Sequence, residues 1–254
     1  MGYFNAIANG RRCRCSIPCL WNDGVLIEDA IGISDHIYSF YKELFSAEPR
    51  SSVSLAGDFW VDAERVTSVE NWDLTAPFSV DEVRNALDSM KGSSAPGPDG
   101  LPVTFFQRFW PEVKAVIMPI FQEFYTGTLD MARLNYRIIT LIPKIVGATD
   151  IRQFRPITVI NVMERLVAKV CAIRMAPVAG RLAHPLQSAF MKGRFIHDGI
   201  LALHEIVHEV KSKNHHGVFL KLDFQKAYDR LDWTFLWLAL DRRGFDDRWS
   251  SWFM

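Results

Sequence analysis

Residues 218–233 read VFLKLDFQKAYDRLDW, a hydrophobic run that closes on a carboxylate, Asp223. The apolar residues of Gly217–Asp223 (GVFLKLD) alternate with others in a way that predicts a strand. A carboxylate at a strand's end can ligate Mg2+, which activates a hydroxyl nucleophile and steadies a departing phosphate. An Asp in such a place is also a common turn or cap residue. Tyr228 and Asp229 follow shortly, and Asp232 caps a predicted helix that ends at Gly244.

Upstream of this run the pattern is mostly helical. Asp198 to about Lys213 reads as one helix, and Asn161 toward Met175 as another that should end before Pro177. Tyr136–Pro143 (YRIITLIP) and Phe154–Val159 are rich in β-formers. Ser93–Leu101 (SSAPGPDGL) holds two prolines and two glycines and excludes helix or central strand. It is followed by a short basic-aromatic helix and by a second helix, Pro111 to about Tyr125, closed by Gly127. Ser79 and Glu82 have capping-box spacing, with Val80, Val83, Leu87 and Met90 on one face and Gly92 beyond. Ile33–Phe45 has helical spacing, and the Glu48–Ser54 patch reads as a linker. The fold class is α+β, helix-rich with few short strands.

The 254 residues are 49% hydrophobic and 23% charged, enough for a real core. Net charge is zero but unevenly placed. Residues 1–100 carry 8 Lys+Arg against 15 Asp+Glu, whereas residues 101–200 carry 13 against 6. Aromatics are interleaved there, among them Phe105, Trp110, Tyr136 and Phe195. Cations neutralise phosphates and aromatics stack on bases, although a solvated basic face over an aromatic core has the same composition. Cys13, Cys15 and Cys19 crowd one segment without an obvious fourth zinc ligand, and Cys171 stands alone. No secretory leader is evident, and no apolar run reaches the roughly 18–20 residues of a membrane span. The expectation is an intracellular, reduced protein.

In order, APGPDGLPVTFFQRFW (95–110), LIPK (141–144), FRPITVINVMERLVAKVCAIRM (154–175), HPLQSAFMKGRFIHDGI (184–200) and FLKLDFQKAYDRLDW (219–233) resemble the reverse transcriptase of LINE-type, non-LTR retrotransposons, especially the plant type. The resemblance implies a right-hand polymerase, with residues 76–215 as fingers and 216–254 as the start of the palm. Residues 1–75 would be a mostly helical upstream extension, in which ANGRR (8–12) and HIYSFYKELF (36–45) resemble the corresponding plant segment. It implies that Asp223 is the first of three metal-binding aspartates, with Mg2+ as the metal and the Phe224 carbonyl as a further ligand. Tyr228 matches the aromatic gate that excludes a ribose 2′-hydroxyl. Lys144 and Arg155 match basic residues that grip the incoming deoxynucleoside triphosphate, a role suited to a forked guanidinium. Gln187, Lys192 and Arg194 are template-strand contacts in the same reading. RNA template, DNA primer and nucleotide are the implied partners, with no membrane, and the nucleus is the location by family analogy.

The family's aromatic-x-Asp-Asp hairpin and thumb do not appear in the 254 residues, so the expectation is a fragment that does not polymerise alone. Gly244–Trp249 (GFDDRW) imitates that hairpin, but it follows Asp223 too closely. A polar turn with Asp246 and Asp247 at a helix start explains it better. His204-Glu205-x-x-His208 fits the zinc-protease pattern without a third ligand at a recognised spacing. A non-catalytic RNA- or DNA-binding module is the principal alternative, and a metalloprotease the lesser one.

Overall fold

The computed structural model describes residues 17–46, 54–56, 59–134, 136–224 and 231–253. The helices are α1 (Ala30–Phe45), α2 (Ser68–Thr75), α3 (Val80–Asp88), α4 (Val103–Arg108), α5 (Trp110–Thr126), α6 (Val162–Leu182), α7 (Ile196–Ser212), α8 (Trp233–Arg242) and α9 (Asp247–Ser251). Two antiparallel hairpins accompany them: β1 (Leu20–Asn22) with β2 (Val25–Ile27), and β3 (Ile138–Pro143) with β4 (Phe154–Val159). The chain is therefore helix-rich with two small sheets among the described residues. It divides into two compact units. The first comprises Met1–Pro49, Lys91–Arg108 and Asp130–Arg165; the second comprises Arg50–Met90, Phe109–Leu129 and Leu166–Met254.

In the first unit a small core forms from Leu20, Ile33, Ala148 and Phe154, with Ile27, Ile37 and Leu141 packed against it. The β1–β2 turn is Asp23-Gly24, both at positive φ (47° and 84°), the conformation a two-residue hairpin needs to match strand twist. This hairpin precedes α1 within the upstream segment expected to be mostly helical. The Trp21 N–H donates to the Thr149 carbonyl at 2.8 Å, tying β1 to the loop between β3 and β4. The breaker segment is latched to the start of α6. Gly97 is buried so closely against Asn161 that a Cβ there would lie 2.6 Å from the Asn161 Cα and 2.7 Å from its nitrogen. Asn161 Oδ1 accepts from the Asp99 N–H at 3.2 Å, and Arg165 donates to Ser94 Oγ at 2.9 Å and to the Ala95 carbonyl at 3.3 Å.

In the second unit Leu74, Val83, Ala86, Leu87, Ile117, Phe121, Leu166 and Trp249 are almost wholly buried. Phe78 lies 5.2 Å from the rings of both Phe121 and Trp252. Ser79 caps α3 by accepting from the Glu82 N–H at 3.1 Å, but the reciprocal half of the capping box is replaced. The Glu82 carboxylate instead takes both forks of Arg174, at 2.6 and 2.7 Å. Val80 is 43% exposed and Ala86 takes its place in the buried stripe, because at 100° per residue Val80 sits at the rim of that face. Helix α6 does not stop before Pro177; it runs to Leu182 with Pro177 inside. Proline there forfeits one backbone hydrogen bond. Arg174 and Arg181, on either side of it, fix the helix to three carbonyls (Leu74, Ala76, Pro77) and to two more (Ala63, Arg65).

The predicted strand over 217–223 does not form. These residues have no regular structure and are exposed, Val218 at 98% and Leu220 at 74%. A strand is stabilised by a partner's N–H and C=O groups, and among the described residues none pairs with this run.

Candidate functional site

The β3–β4 hairpin brings Lys144 and Arg155 together. Register pairs Ile142 with Arg155 and Pro143 with Phe154, and the Lys144 N–H continues the ladder by donating to the Gln153 carbonyl at 2.8 Å. Side chains alternate across a strand, so the even residues of β3 and the odd residues of β4 share one face. Phe154 and Leu141 turn to the core on the other face, and Lys144 and Arg155 stand on the outward one, both exposed. Lys144 Nζ donates to the Arg152 carbonyl at 2.8 Å, which holds the ammonium against the loop that joins β3 to β4. The same face carries Thr140 and three isoleucines, Ile138, Ile142 and Ile157, each 41–48% exposed. Two cations on a stiff two-stranded element form a surface that polyphosphate oxygens can bridge.

Asp223 and Phe224 lie in the exposed irregular run, Phe224 at 78%. Tyr228 falls outside the described residues. Asp223 belongs to the second unit and the Lys144–Arg155 hairpin to the first. Among the described residues no group of three or more His, Cys, Asp or Glu side chains gathers. One exposed carboxylate does not make a Mg2+ site, which demands near-octahedral oxygen ligation.

Gln187, Lys192 and Arg194 occupy the connection between α6 and α7. Gln187 and Lys192 are exposed. Arg194 is half-buried, and its guanidinium is committed to the C-terminal end of α6. It donates to the carbonyls of His184 (2.6 Å), Gly180 (2.8 Å), Gln187 (2.9 Å) and Ala183 (3.2 Å). Helix ends leave such carbonyls without intrahelical donors, and a cation there also opposes the helix dipole. Periodicity does not reveal this role, because the donor lies beyond the helix it caps.

The two decoys resolve plainly. Asp246 is the N-cap of α9, its carboxylate accepting from the Arg248 N–H at 2.8 Å, and Asp247 opens the first turn. His204 and His208 lie one turn apart on α7, both exposed, without a third ligand beside them among the described residues. Burial pushes the Cys171 thiol up to about 12, so it is a packing group rather than a nucleophile. No helix of the described residues is long and apolar enough to cross a membrane.

The reverse transcriptase (RNA-dependent DNA polymerase) family matches residues 142–254, from within β3 to the last residue. The transposon TX1 uncharacterized 149 kDa protein of Xenopus laevis is 31% identical over 239 residues, 92% of this chain and 18% of its own length. The Pol polyprotein of the type-1 retrotransposable element R1 of Bradysia coprophila is 22% identical over 188 residues, covering 71% of this chain and 18% of itself. That of element R2 of Popillia japonica is 27% identical over 177 residues, covering 69% and 24%. The chain thus spans about a fifth of the length of these relatives.

Proposed function

We propose, from the match of residues 142–254 to the reverse transcriptase family, that this chain supplies the nucleotide-gripping fingers and the opening of the palm of a non-LTR retrotransposon's RNA-directed DNA polymerase. The observation that carries the reading is the coincidence of the family match with the Lys144–Arg155 face. In this reading the β3–β4 hairpin holds the triphosphate of an incoming deoxynucleotide. Arg155 forks onto phosphate oxygens, and Lys144 contributes a compact charge. Asp223 and the Phe224 carbonyl would be two of the oxygen donors to a Mg2+ whose remaining ligands come from elsewhere, and Tyr228 would contact the sugar. Gln187 and Lys192 meet the template strand, and Arg194 fixes the loop that carries them. A plant-type origin rests on ANGRR and HIYSFYKELF, as does the role of residues 1–75 as an upstream extension of fingers over 76–215 and palm over 216–254. Work on chromosomal DNA would place the protein in the nucleus.

The chain contributes binding and orientation. Two-metal transfer needs more carboxylates than Asp223 provides, so the purified chain should bind a hybrid without extending its primer. The test is fluorescence anisotropy with a labelled RNA–DNA primer–template over a salt series. Binding that weakens steeply with salt is expected, because phosphate contacts release counterions. Absence of binding, or affinity indifferent to salt, contradicts the proposal. Salt-dependent binding accompanied by primer extension in Mg2+ would instead overturn the claim that the chain only binds.

A further inference from the structure

The β1–β2 hairpin lies outside the matched residues 142–254, yet it shares a core with the loop that joins β3 to β4. Leu20 (fully buried) and Ala148 (7% exposed) belong to the same cluster, and the Trp21 N–H donates to the Thr149 carbonyl at 2.8 Å. Pairing Leu20 with Ile27 turns that pair inward and sends the next pair, Trp21 and Leu26, to the opposite face. Trp21 is 49% exposed and Leu26 39%. The tight Asp23-Gly24 turn and the shared core fix the hairpin, so the indole is presented by a stiff support. The neighbouring loop continues the surface. Ile145 and Val146 project from it, 53% and 104% exposed, between Lys144 and the exposed Arg152. The one carboxylate within that loop, Asp150, is turned back to accept from the Arg152 N–H at 2.7 Å.

An exposed ring on a rigid hairpin, tied by its own backbone to a cationic loop with apolar tips, suits one ligand chemistry above others. Unpaired bases stack on aromatic faces while their phosphates follow cations. We propose that Trp21 is a stacking platform for an unpaired base of single-stranded RNA, and that Arg152 holds an adjoining phosphate. This rests on the polymerase reading and extends its nucleic-acid surface into residues upstream of the matched segment.

The experiment uses the full chain with labelled oligouridine and, in parallel, a labelled RNA–DNA duplex. Trp21→Ala should weaken oligouridine binding on the order of tenfold and Trp21→Phe only about threefold, because a smaller ring still stacks. The salt slope should be unchanged in both, whereas Arg152→Ala should lower it by about one. Duplex binding should change little, since its bases are already stacked within the helix. Leu26→Ala removes the ring's cross-strand neighbour and disturbs the hairpin to a similar degree, yet it should retain oligouridine affinity. Equal affinity of Trp21→Ala and the unsubstituted chain overturns the inference and leaves the polymerase reading standing. Equal losses in Trp21→Ala and Leu26→Ala also overturn it, since they indicate damage to the hairpin rather than a lost stack. Failure of the unsubstituted chain to bind either probe overturns both.

Discussion

Arg174 closes the polar side of the second unit. Its guanidinium donates to both Glu82 oxygens, has a side chain only 9% exposed, and lies 4.2 Å from the Phe78 ring centroid. Arg174→Ala should destabilise by about 3–5 kcal/mol in a denaturant melt, because it strands a largely buried carboxylate and three carbonyls. Arg174→Lys should recover little, since an ammonium cannot present the same planar fork. Glu70 is a different case. The Arg181 guanidinium beside it, at 2.7 Å, holds its carboxyl at about 2 against an ordinary 4.5, with the Thr67 cap adding to the effect. A depressed carboxylate stabilises the fold fully above its unfolded value and loses that stabilisation as pH falls toward the folded one. The melting-temperature gap between the unsubstituted chain and Glu70→Gln should therefore be constant above about pH 5.5 and shrink between about 4.5 and about 2. A gap that widens on acidification contradicts this assignment. Neither arginine's role is visible in sequence, since their partners lie 92 and 111 residues away.

At the scale of elements, what local chemistry dictates could be read directly. Ser79, Asp232 and Gly127 mark helix ends where the structure has them, and the β-rich runs of 136–143 and 154–159 pair as a hairpin. The β1–β2 hairpin had a signal as well, Asn-Asp-Gly between Leu-Trp and Val-Leu-Ile, but its strands are too short for alternation to show. What failed depended on partners. Alternation over 217–223 describes a strand only if another strand meets it, and Pro177 ends a helix only where packing does not hold both sides. The Lys144–Arg155 face could be named residue by residue from the resemblance, but their placement on one face required the register. The Gly97 latch was invisible too, because the breaker composition says what the segment cannot be and not what it touches. Gly97→Ala should cost about 1–3 kcal/mol, since backbone atoms of Asn161 must move. Gly180→Ala, with nothing within 4 Å inside α6, should stabilise by roughly 0.5–1 kcal/mol. Similar melting curves for the two variants would contradict the latch.

At the scale of the molecule, sequence order and spatial grouping diverge. The breaker segment and the β3–β4 hairpin join the N-terminal hairpin in one unit, while Gln187, Lys192, Arg194 and Asp223 belong to the other. The exposed run Val218–Phe224, with five large apolar side chains and an unpaired backbone, is a site at which the chain can self-associate. The proposed function turns on nucleotide capture by the first unit. Its most direct measurement is ultraviolet crosslinking of labelled dTTP to the full chain, followed by peptide mapping. Label is expected on the peptide spanning 138–159, competed by unlabelled deoxynucleotides and lost in the double variant Lys144→Ala/Arg155→Ala. Label elsewhere, or label on that peptide undiminished in the double variant, would contradict it.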